Sequence, residues 1–520
     1  MVLSLALLIA IIDVTLVNVT LPSIRAEFNA SLRDLEWITA IYALVFAAFM
    51  ITWGRVGDDS GRRRILIAGI TTFILGSLVT GLSNGIGIML LGRAIQGFGA
   101  AMSSPSTLSI LTTTFRGRMR GIAFGIWGAT AAAAGALGPL LGGFLTTYAS
   151  WRWAFLINLP IGIAVIAGAL RFISETRDTN RTHRMDFLGV ILSSLGLALV
   201  VFGLIEGQAY GWIQPKQTFS FGSWHWPSAN VAMTPVVFAF AAICLVTFVR
   251  HELNIEREGG EPLFDFTLLD HLAFRYGLMT VAVVALGEFG ILFIFSIYLQ
   301  TVRGLSAFQT GLLFLPFAIA NFISAPIAGV LSSRFGPKWV VTAGMLSEST
   351  AILTLSRTLS TDTPFWHFVP IFLLYGAGVG LAISQLTNVT LSDVPPPKVG
   401  IASGANNTVR QVGAAIGIAI LGAVLTYQIA STGKTELQAN AVIPADVKTH
   451  VAQSLDNGLS GDASQFASGQ GNTPVDQAIM GIVDDAITAG TRSAGTAAAG
   501  FVLLGAVSSL LIPNVKSGGQ

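Results

Sequence analysis

The sequence predicts an all-α integral membrane protein with fourteen transmembrane helices arranged six, two and six, and three observations predict it. Of 520 residues, 52% are hydrophobic and only 11% charged, with a mean hydropathy of +0.70, well outside soluble-domain usage. Fourteen apolar runs alternate with charged or turn-rich breaks, on the scale of the ~20 residues that a bilayer crossing requires. Within lipid such runs are helices, because the other spanning solution is a closed barrel. Finally, one basic turn recurs at a constant spacing in two six-run blocks, as an internal repeat would produce.

The first six runs fall near residues 2–24, 37–56, 65–84, 86–113, 121–146 and 153–173. Two follow near 186–206 and 231–250. The last six fall near 274–299, 308–331, 339–357, 366–391, 403–429 and 494–513. The first run has no basic n-region and is too long for a cleavable signal, so it reads as a span. It begins abruptly at Met1, which leaves open a start further upstream. Near its middle lies Asp13. A carboxylate at that depth costs at least ~2.5 kcal/mol on insertion scales, so it faces a bundle interior or a wet cavity and marks an ion or substrate path. A helix-packing acid satisfied by a neighbouring hydroxyl or Arg is the alternative.

An even span count puts both termini on one side, and the cations say which. With the termini inside, inner segments carry 18 of the 29 Lys and Arg residues, among them Arg62, Arg63, Arg64, Arg116, Arg118, Arg120, Arg177, Arg181, Arg184, Lys338, Lys398 and Lys516. Outer segments carry 9, three of them in one long loop where the positive-inside rule has little force. Both termini are therefore expected in the cytoplasm. The parse is a six-helix bundle over 1–173, a two-helix insertion over 174–250, a cytoplasmic linker over 251–273 and a second six-helix bundle over 274–520, with a long outer loop at 430–493. That loop has apolar residues at helical spacing from Val475 to Ile487 and is expected to form a partly helical cap. The outer segment holding Trp212, Trp224 and Trp226 suits an interfacial aromatic belt better than a ligand cage.

The repeat is GRVGDDSGRRR at 54–64 and GVLSSRFGPKW at 329–339. Gly54 matches Gly329 and Gly61 matches Gly336, both 275 residues apart, with Lys338 opposite Arg63. Gly61 and Gly336 permit tight turns. The same offset carries Asp13 onto Glu288, in the middle of the ninth run, so the first helix of each block holds one membrane-embedded acid. A Glu288 bonded to a hydroxyl across a helix interface is the plainer reading.

The 54–64 turn, IIDVTLVNVTLP at 11–22, LLGRAIQGFGAA at 90–101 and GALGPLLGG at 135–143 together resemble the signature set of the major facilitator superfamily. With fourteen spans, the chain is similar to its drug:proton antiporters of the EmrB/QacA type. WRWAFLINLP at 151–160 and VRQVGAAIGIAILG at 409–422 also look like that branch. The resemblance implies a major-facilitator fold and, at Arg93, a cation that faces the central cavity and assists proton transfer. Arg93 lies about 10 Å into its span at 1.5 Å per residue. There it can lower the proton affinity of Asp13 on approach and raise it on separation; a guanidinium snorkelling to the outer surface is the alternative. The resemblance further makes Gly135, Gly138, Pro139, Gly142 and Gly143 a gate against proton leak, although small residues with a proline also serve ordinary close packing. One departure concerns the loop motif formed by Gly54, Asp58, Gly61, Arg62 and Arg63 with Gly336 and Lys338. Asp58 is followed by Asp59 instead of a base, which leaves the family's inter-domain latch to Arg62–Arg64 if it exists.

Enzyme chemistry finds no footing. GLSNG at 81–85 lacks the strand-turn-helix setting of a nucleophile elbow, and STGKT at 431–435 lacks the leading glycine of a phosphate loop. With one cysteine, Cys244, and six scattered histidines, neither a disulfide nor a metal site is expected, and no basic tail points to nucleic acid. Neither an ATPase site nor a cofactor is expected, so an ion gradient drives any transport and the embedded acids handle its protons. The expectation is a monomeric inner-membrane antiporter exporting lipophilic, cationic compounds. An exporter of one endogenous metabolite, lipid or siderophore is the alternative, and a channel or receptor-like protein is a third.

Overall fold

Every apolar run becomes a helix in the computed structural model, which describes residues 1–115, 117–176, 186–221, 224–226, 230–260, 262–395, 399–456 and 473–513. Arg116, Arg177, Arg181, Arg184, Lys398 and Lys516 lie outside the described residues, as does the side chain of Asp58. In chain order the helices are α1 (Val2–Phe28), α2 (Leu32–Ser60), α3 (Arg62–Gly81), α4 (Ile86–Thr114), α5 (Gly117–Tyr148), α6 (Trp151–Leu156), α7 (Asn158–Phe172), α8 (Phe187–Tyr210), α9 (Met233–Arg257), α10 (Leu272–Thr301), α11 (Ala307–Leu313), α12 (Leu315–Phe335), α13 (Pro337–Thr358), α14 (Phe365–Thr390), α15 (Val399–Ala439), α16 (Ala445–Asp456) and α17 (Pro474–Ser509). Among the described residues, eleven segments are long and apolar enough to cross a membrane. The three other expected runs coincide with α5, α13 and the second part of α17. The last two are less apolar because α13 carries Lys338, Glu348 and Arg357, and because the second part of α17 is rich in Ala, Gly, Ser and Thr.

Local chemistry sets the boundaries. Ser31 and Asp34 form a reciprocal capping box at the start of α2, which satisfies amides left over at a helix N-terminus. Two expected spans are each broken in two. The sixth breaks at Ile157 and the tenth at Phe314, because Pro160 and Pro316 lack the N–H that would bond one turn back. The Trp-rich segment departs from all-α structure: Ser220–Phe221 pairs antiparallel with Trp224–His225, and the Trp226 indole donates to the Val231 carbonyl at 2.8 Å. In the expected outer cap, α15 runs unbroken to Ala439, α16 follows, and α17 starts at Pro474. Ile479, Ile482, Val483, Ala486 and Ile487 are buried there, as their spacing predicts.

The packing repeats itself. Helix α1 packs on α5 and α7 as α10 packs on α15 and α17, α3 on α4 as α13 on α14, and α2 on α4 as α12 on α14. We refer to α1–α7 and α10–α17 as the first and second halves. The 275-residue offset extends further than the basic turn: Gly138 and Gly142 let α5 close on Thr15 and Leu16 of α1, and Gly413 and Gly417 let α15 close on Ala282 and Leu286 of α10. Across the halves, α2 packs on α15 and α5 on α11 and α12, again as a reciprocal pair. The inserted hairpin α8–α9 lies beside the α2–α15 seam, where Glu206 of α8 accepts from Arg33 at 3.1 Å and from the Trp37 indole at 2.9 Å.

Two kinds of core result. One large apolar core joins both halves, drawing on Leu16 to Ile38 around the α1–α2 turn and on Trp151 to Phe155. Toward the other end, near Gly61 and Gly336, each half keeps a core of its own. The halves are therefore shut together at the end bearing the α1–α2 turn, and apolar packing joins them less at the end bearing the termini.

Candidate functional site

Asp13 is fully buried because its helical neighbours Ile9, Ile12, Leu16 and Val17 all face inward with it. Three side chains converge on its carboxylate. Arg93 of α4 donates through Nη1 to Oδ2 at 2.5 Å. Gln96, one turn further along α4, donates to Oδ1 at 2.8 Å. Asn158 donates to Oδ1 at 3.0 Å; it is the first residue of α7, so the break at Ile157 brings its side chain to this level. Ser77 of α3 accepts from both amides, at 2.8 and 3.2 Å. The Arg93 guanidinium also donates to the Ile38 carbonyl and lies 4.5 Å from the centroid of the Tyr42 ring. Only 1% of Arg93 is exposed, so it does not snorkel: its charge is turned inward onto Asp13.

That arrangement defines what the group can do. A guanidinium and a carboxylate at this distance make a charge-assisted pair, closed off from water by the surrounding helices.

In the second half Glu288 of α10 is 8% exposed, and Arg410 of α15 reaches its Oε2 at 3.5 Å. The second-half acid thus has an arginine as well. The offset could not reveal this partner because it carries Arg93 onto Phe368 and carries Arg410 back onto Gly135. The acids are twins, but their cations come from non-equivalent helices. A second acid, Glu348 of α13, lies behind the pair, fully buried, with neither carboxylate oxygen hydrogen-bonded. One turn from both acids begins an apolar pocket lined by Phe295, Phe314, Phe372 and Tyr375. No hydrogen bond or ion pair among the described residues joins the Asp13 and Glu288 clusters.

The glycine-rich stretch of α5 divides between two faces. Gly138 and Gly142 pack on α1 inside the first half, whereas Gly143 meets the Ala307 backbone and Pro139 meets Gly311, both in α11 of the other half. Around Gly135 there is open space. At the same end, Thr147 accepts from the Phe308 amide at 2.9 Å and Gln300 donates to the Val19 carbonyl at 2.8 Å.

The loop motif works within each half. Gly61 has a φ of 116°, and a Cβ there would lie 2.7 Å from the Glu175 carboxyl carbon. Glu175 accepts from the Arg63 and Arg64 amides at 3.0 and 3.2 Å, and the Arg63 guanidinium donates to the Ile173 carbonyl at 3.1 Å. The Arg62 amide bonds to the Thr176 carbonyl at 3.0 Å. Arg63 and Arg64 therefore engage their own half. Gly54 packs on Pro105, and Gly336, at φ 86°, leads into α13, where Lys338 donates to the Leu510 carbonyl at 2.6 Å. Residues 431–435 are helical within α15, and 81–85 form the α3–α4 turn.

Sequence reasoning missed Gln96, Asn158, Ser77, Glu175 and Glu348, together with Glu36. Glu36 is buried at the α2–α15 seam against Gly422, its Oε2 without a hydrogen-bond partner. Gln96 was within reach, lying three residues after Arg93 on one helix face.

Comparison with known proteins follows the same lines. Residues 3–213 and 179–418 match the family model of the Major Facilitator Superfamily. The chain is 30% identical over 418 residues to the tetracenomycin C resistance and export protein of Streptomyces glaucescens, covering 80% of this chain and 74% of that one. It is 31% identical over 449 residues to the multidrug resistance protein Stp of Mycobacterium tuberculosis (strain ATCC 25618 / H37Rv), covering 86% and 79%. A solved bacterial homologue of the human lysosomal transporter Spinster superposes with a TM-score of 0.63 at 17% identity, over 98% of this chain and 96% of that one; that likeness is one of fold.

Proposed function

The chain belongs to the major facilitator superfamily, and from that premise we propose that it is a proton-coupled efflux transporter that exports lipophilic, cationic compounds by alternating access. The observation that carries the reading is the sealed Asp13–Arg93 contact, a membrane-embedded acid whose protonation competes with its cation. Relatives named for antibiotic resistance and export support the direction of transport.

In this reading α5, α13 and α17 also cross the membrane, making fourteen spans in a six, two and six arrangement, and both termini lie in the cytoplasm of a bacterial cell. The shut end then faces outward and the structure is inward-open. Asp13, ionised and held by Arg93, stands as it would after releasing its proton to the cytoplasm. Glu288, with its part-exposed arginine, reads the charge of the substrate. The protein needs no cofactor, acts as a monomer and has no enzymatic step.

The test is transport by purified protein in liposomes under an imposed proton gradient, with ethidium efflux and proton entry followed together. Asp13→Asn is expected to abolish coupling for every substrate, and Glu288→Gln to change which compounds are carried. Wild-type coupled rates in both variants would overturn the scheme, and the reverse pattern would exchange the two roles.

A further inference from the structure

In the interior of the second half two buried carboxylates, Glu288 and Glu348, face one guanidinium, that of Arg410. Glu288 takes Arg410 at 3.5 Å, which leaves Glu348, without exposure to solvent, with no hydrogen-bond donor on either oxygen among the described residues. Close packing keeps it dry: a Cβ at Gly378 of α14 would lie 2.7 Å from the Glu348 amide nitrogen, and its neighbour Ser349 donates to the Ala499 carbonyl of α17 at 2.9 Å. The ionisable groups that face it are Glu288 from α10, Arg410 from α15 and Tyr375 from α14. Helix α17 has none between Arg492 and its end at Ser509, and α12 none before Arg334. An ionised carboxylate in such a place costs several kcal/mol without its own cation.

We propose that Glu348 is a proton-binding site that shares Arg410 with Glu288, so that the cluster holds one exchangeable positive charge, either a proton or the cationic group of a substrate. The proposal rests on the efflux reading for the identity of the competing cation. With Glu288 ionised on Arg410, Glu348 is protonated and the cluster is neutral. A monocation arriving at Glu288 releases the part-exposed guanidinium to turn to Glu348. The Glu348 O–H bond breaks, its electron pair stays on the carboxylate, and one proton leaves for each cation bound. Charge is conserved and no other reactant is needed. Competition of proton and cation for one place is what antiport requires of its binding site.

Two measurements on the full-length purified protein test this. The first is the infrared carbonyl band of a protonated carboxylic acid at neutral pH, without any substrate. It is expected in the wild type and in Asp13→Asn, and to lose one carboxyl's share of its intensity in Glu348→Gln, which keeps the shape of the protonated side chain; Glu36, also buried with an unpaired oxygen, keeps its own share. A wild type without the band, or a Glu348→Gln variant with undiminished intensity, would overturn the proposal even if the efflux reading stands. The second is proton release into weakly buffered solution on addition of tetraphenylphosphonium. The wild type is expected to release one proton per bound cation, with affinity rising about tenfold per pH unit. Glu348→Gln should bind the cation with no release and no pH dependence. Release undiminished in that variant would refute the exchange. A wild type that bears the band but neither binds nor transports any cation would instead refute the efflux reading's substrate class.

Discussion

Replacing Gly143 or Gly311 by alanine should shift the protein between conformations without unfolding it. A Cβ on Gly143 would lie 2.8 Å from the Ala307 carbonyl carbon and 2.9 Å from the Phe308 Cα; one on Gly311 would lie 2.8 Å from the Pro139 carbonyl carbon. These are backbone atoms of the opposite half, so no side-chain rotation relieves the overlap. The halves must move apart, as they do when this end opens. Overpacking of this kind costs about 1–3 kcal/mol, and a bias of that size on one of two states changes their ratio by roughly 5- to 150-fold. The assay is pulsed electron paramagnetic resonance between spin labels at Leu82 and Trp366, exposed residues at the shut end, in a background where Cys244 is replaced by serine. The distance distribution should gain a longer component. Gly138→Ala is the control, since its Cβ would strike Thr15 inside the same half; it should lower the melting temperature and leave the distances alone. If Gly143→Ala behaves like that control, the contact is ordinary packing and the gating argument fails.

Other outcomes follow from single contacts. Arg93→Ala leaves Asp13 buried and unpaired, which should cost about 3–5 kcal/mol, and adding Asp13→Asn should recover most of the lost melting temperature in a double-mutant cycle. Glu175→Ala removes the acceptor for two amides at the start of α3 and should cost about 0.5–2 kcal/mol, as a lost helix cap does, read by thermal denaturation. The outer cap should be acid-stabilised. Burial, with Asp485 adding, pushes the Asp484 carboxyl from 3.8 up to about 6. An acid raised on folding opposes the folded state when ionised, so its penalty is present above pH 6 and fades as pH falls toward 4. Hydrogen exchange over residues 474–490 should slow between pH 7 and 5 after correction for intrinsic rates. The effect should be no more than about 1–2 kcal/mol, because the side chain is part-exposed and screened, and Asp484→Asn should abolish it.

Much of this was legible in the chain. Long apolar runs give helices because lipid leaves the backbone few other ways to pair, and the offset between Gly61 and Gly336 located the twin acids because glycine at positive φ marks the same turn twice. The unbroken apolar runs hid the two broken spans, which Pro160 and Pro316 produce. The pairing of charges was not legible. Arg410 and Glu288 are 122 residues apart; α10 repeats α1, but α15 repeats α5 and not α4, and only the close approach of α15 to α10, through Gly413 and Gly417, brings them together. Glu348 sits among Ser347, Ser349 and Thr350, where a reading of composition sees a polar turn of helix; that nothing satisfies its oxygens is a fact of tertiary packing.

The non-equivalent cations have a mechanical consequence. Arg93 comes from α4, which packs on α2 and α3 within its own half, so its hold on Asp13 is made wholly inside one rigid bundle. Arg410 comes from α15, the helix that also forms the seam with α2 and receives the inserted α8. The rocking proposed above would load α15 directly, and through it the longer, part-exposed contact with Glu288. The same motion would reach Asp13 only through the packing of the whole first half. On that reading the placement of its arginines gives a pseudo-symmetric pair of acids unequal sensitivity to conformation, with the longer contact at the acid proposed to exchange its cation.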